Sequence, residues 1–208
     1  MSLRPTRRAR LRRLLAIVMG TATLVPSAAC GILGGGNDVT LLGDSLTVLV
    51  ADEVTQSAKP DHTVDVSATW GLRIDEELDP AAKIASEDPA QVIINLGTNN
   101  ILQHHDTTAS AEDLSTMLDL LDGIRCVHVV TINEHINRLG ENLGPAAAAL
   151  NAQIRQLAAR RLNVHVIDWN KIVTENLGNN ILDPDTVHPN PEGVRLLTRA
   201  YLDAISSC

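Results

Sequence analysis

The sequence predicts an α/β protein, a three-layer α/β/α sandwich around a five-stranded parallel sheet. Two observations carry this expectation. Five short apolar or alternating runs, at 39–42, 63–68, 91–96, 126–132 and 163–167, have the length and composition of strands. A stretch with helical spacing or a helix-start signal follows each run. Strands separated by helices form parallel sheets, and right-handed crossovers distribute the helices over both faces. A chain of 208 residues suits one such domain and a targeting segment. Its core must be aliphatic, because it has no Phe, one Tyr and two Trp.

The amino-terminal stretch reads as a leader. Arg4, Arg7, Arg8, Arg10, Arg12 and Arg13 precede an apolar run at 14–25, which is short for a bilayer span. Small residues, Pro26-Ser27-Ala28-Ala29, come next. This is the layout of a secretory signal peptide over 1–29. An uncleaved anchor helix is the competing reading, and the paired arginines also admit twin-arginine export. Ser27-Ala28-Ala29-Cys30 resembles a bacterial lipobox, with Ser27 where leucine is preferred. That resemblance implies lipidation at Cys30, membrane attachment through it, and an exported protein of the cell envelope or surface. Residues 30–37, rich in glycine, then form a flexible tether to a body spanning 38–208. Of 17 basic residues six lie in the leader, leaving 11 against 25 acidic ones. An acidic body of this kind argues against a nucleic-acid partner.

Within the body, 39–42 is a buried strand that stops at Gly43. Leu46, Leu49, Val50 and Val54 follow helical spacing, giving a helix over 46–58. Pro60-Asp61 breaks it. The second strand, 63–68, leads to a loop at Trp70-Gly71 and a short helix near 80–86. The third strand, 91–96, ends at Gly97, and a loop with His104 and His105 leads to a helix near 109–121. The fourth strand, 126–132, is followed by Gly144-Pro145, with proline in the first turn of a helix running to 161. The fifth, 163–167, is followed by Asn190-Pro191, which caps the last helix. Its apolar face is Val194, Leu197, Tyr201 and Ile205. Three cysteines are odd for an exported chain. With Cys30 lipidated, Cys126 and Cys208 remain. Both are expected at the sheet edge away from Ser45, where a disulfide is geometrically allowed and two free thiols are the alternative.

The chemistry gathers at the other edge. Ser45 stands where the first strand turns into a helix, at the carboxyl edge of the sheet, where open α/β sheets place their ligand sites. Alone, Gly43-Asp44-Ser45 is equally a capped helix after a tight turn. Gly71 follows the second strand, Gly97-Thr98-Asn99-Asn100 the third, and Asp185-Thr186-Val187-His188-Pro189 lies before the last helix. A serine hydroxyl needs a base to become a nucleophile. His188 is the candidate base, and Asp185 can hold its other ring nitrogen in one tautomer. Pro189 biases His188 toward extended backbone.

The constellation resembles the SGNH hydrolases, or GDSL esterase/lipase family, whose Ser, Gly, Asn and His markers match Ser45, Gly71, Asn99 and His188. The resemblance covers about 38–208. It implies the flavodoxin-like fold of that family and a serine esterase with a Ser45–His188–Asp185 triad. It also implies an oxyanion hole from the N–H groups of Ser45 and Gly71 and the Asn99 amide. Its substrates would be small-molecule or envelope acyl esters, with no metal or cofactor. An acyltransferase or deacetylase on envelope glycans, and a non-catalytic surface binding module, are the alternatives. One departure stands out: Asn100 replaces the aspartate usual after Gly-Thr-Asn, removing a charge beside the oxyanion site. Thr47 distinguishes the motif from the Gly-x-Ser-x-Gly elbow and implies a smaller, shallow site. Asp44 is expected to buttress the turn. Trp70 borders the site and either lines a substrate pocket or packs. Asn133-Glu134-His135 is expected in a pocket wall, without a catalytic role. His104-His105 reads as a solvated loop, and His62, His128, His135 and His165 follow no metal-ligand spacing.

Overall fold

The computed structural model describes residues 36–208, so the leader, Cys30 and most of the tether lie outside the described residues. Its centre is a five-stranded parallel sheet in the order β2-β1-β3-β4-β7. The strands are β1 (Asp38–Gly43), β2 (Thr63–Ala68), β3 (Gln91–Asn95), β4 (Cys126–Val130) and β7 (Val164–Ile167). A two-residue-per-arm antiparallel hairpin, β5 (Asn137–Arg138) and β6 (Glu141–Asn142), stands apart from it. The register of β1 pairs Gly43 with Ala68 on one side and Asn95 on the other. The ends of the first three strands therefore lie side by side.

Residues of β1, β3 and β4 are buried on both faces, as expected of inner parallel strands. The two faces bury separate aliphatic cores. Leu42, Val92, Ile94, Val127 and Val129 pack against α2 (Leu78–Glu87), α4 (Thr107–Leu120) and α5 (Gly144–Ala159). Val39, Leu41, Ile93 and Val130 pack against α1 (Ser45–Ser57), α6 (Trp169–Glu175) and α7 (Pro191–Ser207). Each fully buried Leu, Ile or Val contributes about 1.5–3 kcal/mol relative to exposure. Among the three aromatic residues, Trp169 and Tyr201 are fully buried in the second core.

Helix starts follow local side-chain chemistry. Asp44 caps α1 by accepting from the Leu46 N–H, and Asp106 caps α4 through the N–H groups of Thr108 and Ala109. Asn190 caps α7 by accepting from Glu192 and Gly193, with Pro191 in the first turn. The structure adds α3 (Thr98–Leu102), the β5–β6 hairpin, and α6, which Asp168 caps by accepting from the Lys171 N–H, to the elements expected from the sequence.

Cys126 and Cys208 are joined by a disulfide at the edge away from Ser45. His128 Nε2 lies 3.5 Å from one sulfur and 3.3 Å from the other. The His165 ring is 5.5 Å away from that of His128. Burial first, and His165 second, push His128 down to about 4, so it is neutral at pH 7.

Candidate active site

The site is built on the turn from β1 into α1. Gly43 permits that turn because a Cβ there would lie 2.0 Å from Thr47 Oγ1 and 2.9 Å from the Asn95 carbonyl. The Asp44 N–H donates to the Asn95 carbonyl at 3.1 Å, tying the turn to β3. Ser45 is then the first residue of α1, with its N–H at the positive end of the helix.

Asp185 and His188 arrive on a tight loop before α7. Asp183 N–H donates to the His188 carbonyl at 2.8 Å, and buried Val187 anchors the loop in the core. Asp185 Oδ1 accepts from the N–H groups of Val187 and His188, at 2.9 and 3.0 Å. Its Oδ2 lies 2.6 Å from His188 Nδ1, and His188 Nε2 lies 2.9 Å from Ser45 Oγ. The sequence-expected serine, histidine and aspartate thus form one hydrogen-bonded chain across 143 residues of sequence. Burial pushes the Asp185 carboxyl up. The bonds from the His188 ring and the two N–H groups outweigh this and hold it below the ordinary value.

Asn99 is buried in the first turn of α3, and its Nδ2 donates to Asp44 Oδ2 at 3.0 Å. Asp44 therefore does more than buttress the turn: one oxygen caps α1 and the other fixes the Asn99 amide. Complete burial raises the Asp44 carboxyl to about 7, against the opposing pull of the Leu46 N–H, the Asn99 amide and the charge of His188. Asn100 is fully buried, accepting from the Ile74 N–H at 3.0 Å and donating to Ser110 Oγ at 2.9 Å. Ser110 itself donates to the Asp106 carbonyl. An aspartate at position 100 would face that serine oxygen with an acceptor, so the departure from the family pattern fits its own surroundings.

Gly71 has φ +84°, a conformation that favours glycine, and its carbonyl accepts from Gln103 Nε2 at 3.0 Å. Trp70 before it is 56% exposed, and its ring centroid is 5.4 Å from that of His188. Asn133 is in the wall behind the loop that carries Asp185 and His188: its Nδ2 donates to the Thr186 carbonyl at 2.9 Å. Thr186 Oγ1 accepts from the Asn137 N–H at 2.8 Å and donates to the Asn137 carbonyl at 3.1 Å. The hairpin thereby clasps the loop that carries Asp185 and His188. Sequence reasoning missed this clasp and the Asp44–Asn99 bond. The partners lie 49 and 55 residues apart, and nothing local in the sequence signals either contact.

A groove of ≈ 500 Å3 opens beside Asn99, between α3 and the hairpin. His104 is exposed there, its Nε2 3.6 Å from Glu141 Oε2. A larger cavity of ≈ 850 Å3, beside edge strand β2, contains none of the site residues.

Ser45, His188 and Asp185 thus form a hydrogen-bonded chain at the carboxyl edge of a parallel three-layer sheet, the arrangement expected of an SGNH-type hydrolase. The model of the GDSL-like lipase/acylhydrolase family matches residues 41–196, and the chain belongs to that family of carboxylic ester hydrolases. A comparison with curated proteins returned no match. Among solved structures, the chain is similar to a member of the lipolytic G-D-S-L family from Veillonella parvula. The TM-score is 0.70 at 21% identity, over 82% of this chain and 99% of that one. It is also similar to an acetylxylan esterase from Geobacillus stearothermophilus, with TM-score 0.66 and 16% identity over 81% of this chain and 93% of that one. At these identities the likeness is one of fold.

Proposed function

We propose that the protein is an exported serine esterase that works through an acyl-enzyme, with Ser45, His188 and Asp185 as its triad. The observation that carries this reading is the continuous chain Ser45 Oγ–His188 Nε2–Asp185, with separations of 2.9 and 2.6 Å. Asp185 accepts the Nδ1 proton, which leaves Nε2 as a lone pair facing the serine hydroxyl. His188 takes the proton as Ser45 Oγ bonds to the ester carbonyl carbon. The carbonyl oxygen becomes an oxyanion, and the C–O bond to the alcohol breaks as His188 returns the proton to that oxygen. Water then attacks the acyl-enzyme and gives a proton to His188, the bond from the acyl carbon to Ser45 Oγ breaks as His188 returns that proton to Oγ, and the acid leaves.

Charge on the oxyanion is met by the N–H groups of Ser45 and Gly71 and by the Asn99 amide. One Asn99 hydrogen is spent on Asp44, which leaves the other for the site. The Arg-rich amino-terminal stretch, the resemblance of Ser27-Ala28-Ala29-Cys30 to a lipobox and the Cys126–Cys208 disulfide support action outside the cytoplasm.

The test is hydrolysis of p-nitrophenyl acetate, butyrate and octanoate by wild type, Ser45→Ala and His188→Ala. Turnover abolished by both substitutions is the expected result, with the chain-length profile reporting the acyl group. Turnover that survives Ser45→Ala would overturn the serine mechanism.

A further inference from the structure

The edge of the sheet away from Ser45 holds a second cluster of chemistry-bearing side chains. Cys126 and His128 stand two residues apart on β4, so they share the face that α7 covers. Cys208, directly after α7, meets them there. Both sulfurs and His128 Nε2 lie within 4.8 Å of one another. No ligand spacing shows in the sequence, because Cys208 is 80 residues from His128.

His128 is 2% exposed, in a strand whose other members are Cys126 and three valines. Packing alone favours another aliphatic residue there, since a buried imidazole costs free energy unless its nitrogens are paired. Among the described residues its ring nitrogens meet only the two sulfurs, at 3.5 and 3.3 Å. A disulfide sulfur has no hydrogen to give and accepts weakly.

Those two distances suit a different bond. In a tetrahedral zinc site, Zn–S of about 2.3 Å and Zn–N of about 2.0–2.1 Å put a thiolate sulfur about 3.5 Å from an imidazole nitrogen. His128 Nε2 already stands near that separation from each sulfur. Two thiolates on one zinc stand about 3.8 Å apart, so the ion enters only after the S–S bond is broken. Cys208 is exposed, which opens the pair to reductant and ion from solvent. His128 also lines a cavity of ≈ 370 Å3 with His165 and Asp203. That cavity gives space for a fourth ligand, a water in the pattern of open three-ligand zinc sites.

We propose that the reduced form of this edge is a Cys126–Cys208–His128 site for a thiophilic divalent cation, with zinc the fitting ion, and that the ion clips α7 to β4 in place of the disulfide. A dithiol reductant supplies two electrons and two protons. The S–S bond breaks, both cysteines become thiols, and the dithiol leaves as its own disulfide. The cation then displaces the two thiol protons and accepts the lone pair of His128 Nε2. Because α7 begins just after the loop that carries His188, the clip fixes the far end of that helix in either redox state. The proposal is independent of the esterase reading.

The test uses the full chain and Co2+, whose thiolate complexes absorb in the near ultraviolet and visible. Protein is reduced with tris(2-carboxyethyl)phosphine, which takes the oxygen of a water as it becomes the phosphine oxide, and is titrated beside the untreated disulfide form. The expected result is one equivalent of Co2+ bound by the reduced chain, with thiolate-to-cobalt absorption that Zn2+ abolishes, and none bound by the disulfide form. Cys30→Ser should bind as wild type does, whereas Cys126→Ser, Cys208→Ser and His128→Ala should each bind about a hundredfold more weakly or not at all. Absence of the band in reduced wild type would overturn the proposal. So would a band that keeps wild-type affinity in His128→Ala, or one that is lost in Cys30→Ser. Thermal unfolding gives a reading that needs no variant: Zn2+ should raise the Tm of reduced wild type and leave that of the disulfide form unchanged. A reduced protein whose Tm ignores Zn2+ would overturn the proposal as well.

Discussion

At the carboxyl ends of β1 and β3, buried polar groups are held in place by directional hydrogen bonds, each with a named partner. Asp44, Asn95, Asn99 and Asn100 all lie within this edge and are at most 8% exposed. At the other edge, β4 carries His128 against the Cys126–Cys208 disulfide, and burial keeps its ring neutral. The difference teaches where this fold tolerates cost. A buried carboxyl such as Asp44 opposes folding once ionised, and the site edge retains it because its oxygens place Asn99 and start α1. The far edge carries a covalent link and serves stability.

Substitutions should therefore separate the two edges, activity from one and stability from the other. The largest effects belong to Ser45→Ala and His188→Ala, each expected to lower kcat by about 10⁴-fold or more. Thermal unfolding should show Tm little changed, and a large drop in Tm would erase the separation. On the proposed mechanism Asn99→Ala should cost about 10²–10³ in kcat, the expected effect of removing one oxyanion donor. Asp44→Asn sharpens the test. Its amide would face the Asn99 amide donor to donor, and misplacement of that group is expected to cost about 10²-fold in kcat at pH 8. A kcat equal to wild type would mean that Asp44 only caps the helix.

At the opposite edge, Cys126→Ser/Cys208→Ser should leave kcat within about twofold while costing about 2–4 kcal/mol in denaturant unfolding. The smallest effects concern pH. Asp44 sits at about 7 in the fold, above its unfolded value, so the folded state holds more protons between pH 4 and 7 and stability falls as pH rises through that window. His128 sits at about 4, below its unfolded value, so the unfolded state binds more protons and stability falls as pH drops from 6.5 to 4. The two slopes oppose each other. His128→Phe should leave the Asp44 slope, and Asp44→Asn the His128 slope, each amounting to roughly 1–3 kcal/mol across the window. Urea midpoints at pH 4.5, 5.5 and 6.5 would read both.

What was legible in the sequence follows from this division. Inner strands such as 91–96 read clearly because both faces are buried and the run is uniformly apolar. Ser45, Asp185 and His188 read from motifs at strand and helix ends. Helix α3 was hidden because Thr98-Asn99-Asn100 has poor helix propensity and the helix runs only to Leu102. The hairpin was hidden because its arms are two polar residues each. Helix α6 left a readable signal: Asp168 as a cap before Trp169 and Val173, which share one face and are buried. The contacts that orient the site, Asp44 to Asn99 and Thr186 to Asn137, depend on tertiary placement and have no local signature.

The disulfide has a further consequence for how the chain survives cutting. It closes a covalent ring over a separation of 82 residues, and the hairpin turn at Leu139-Gly140 lies inside that ring. Leu139 is fully exposed, which makes this turn an accessible point for a protease. A nick between Leu139 and Gly140 would leave Ser45 and Cys126 on one fragment, and Asp185, His188 and Cys208 on the other. The sulfur bridge would still hold Ser45 and the Asp185–His188 pair in one molecule. They would run as a single species without reductant and part into two when it is added.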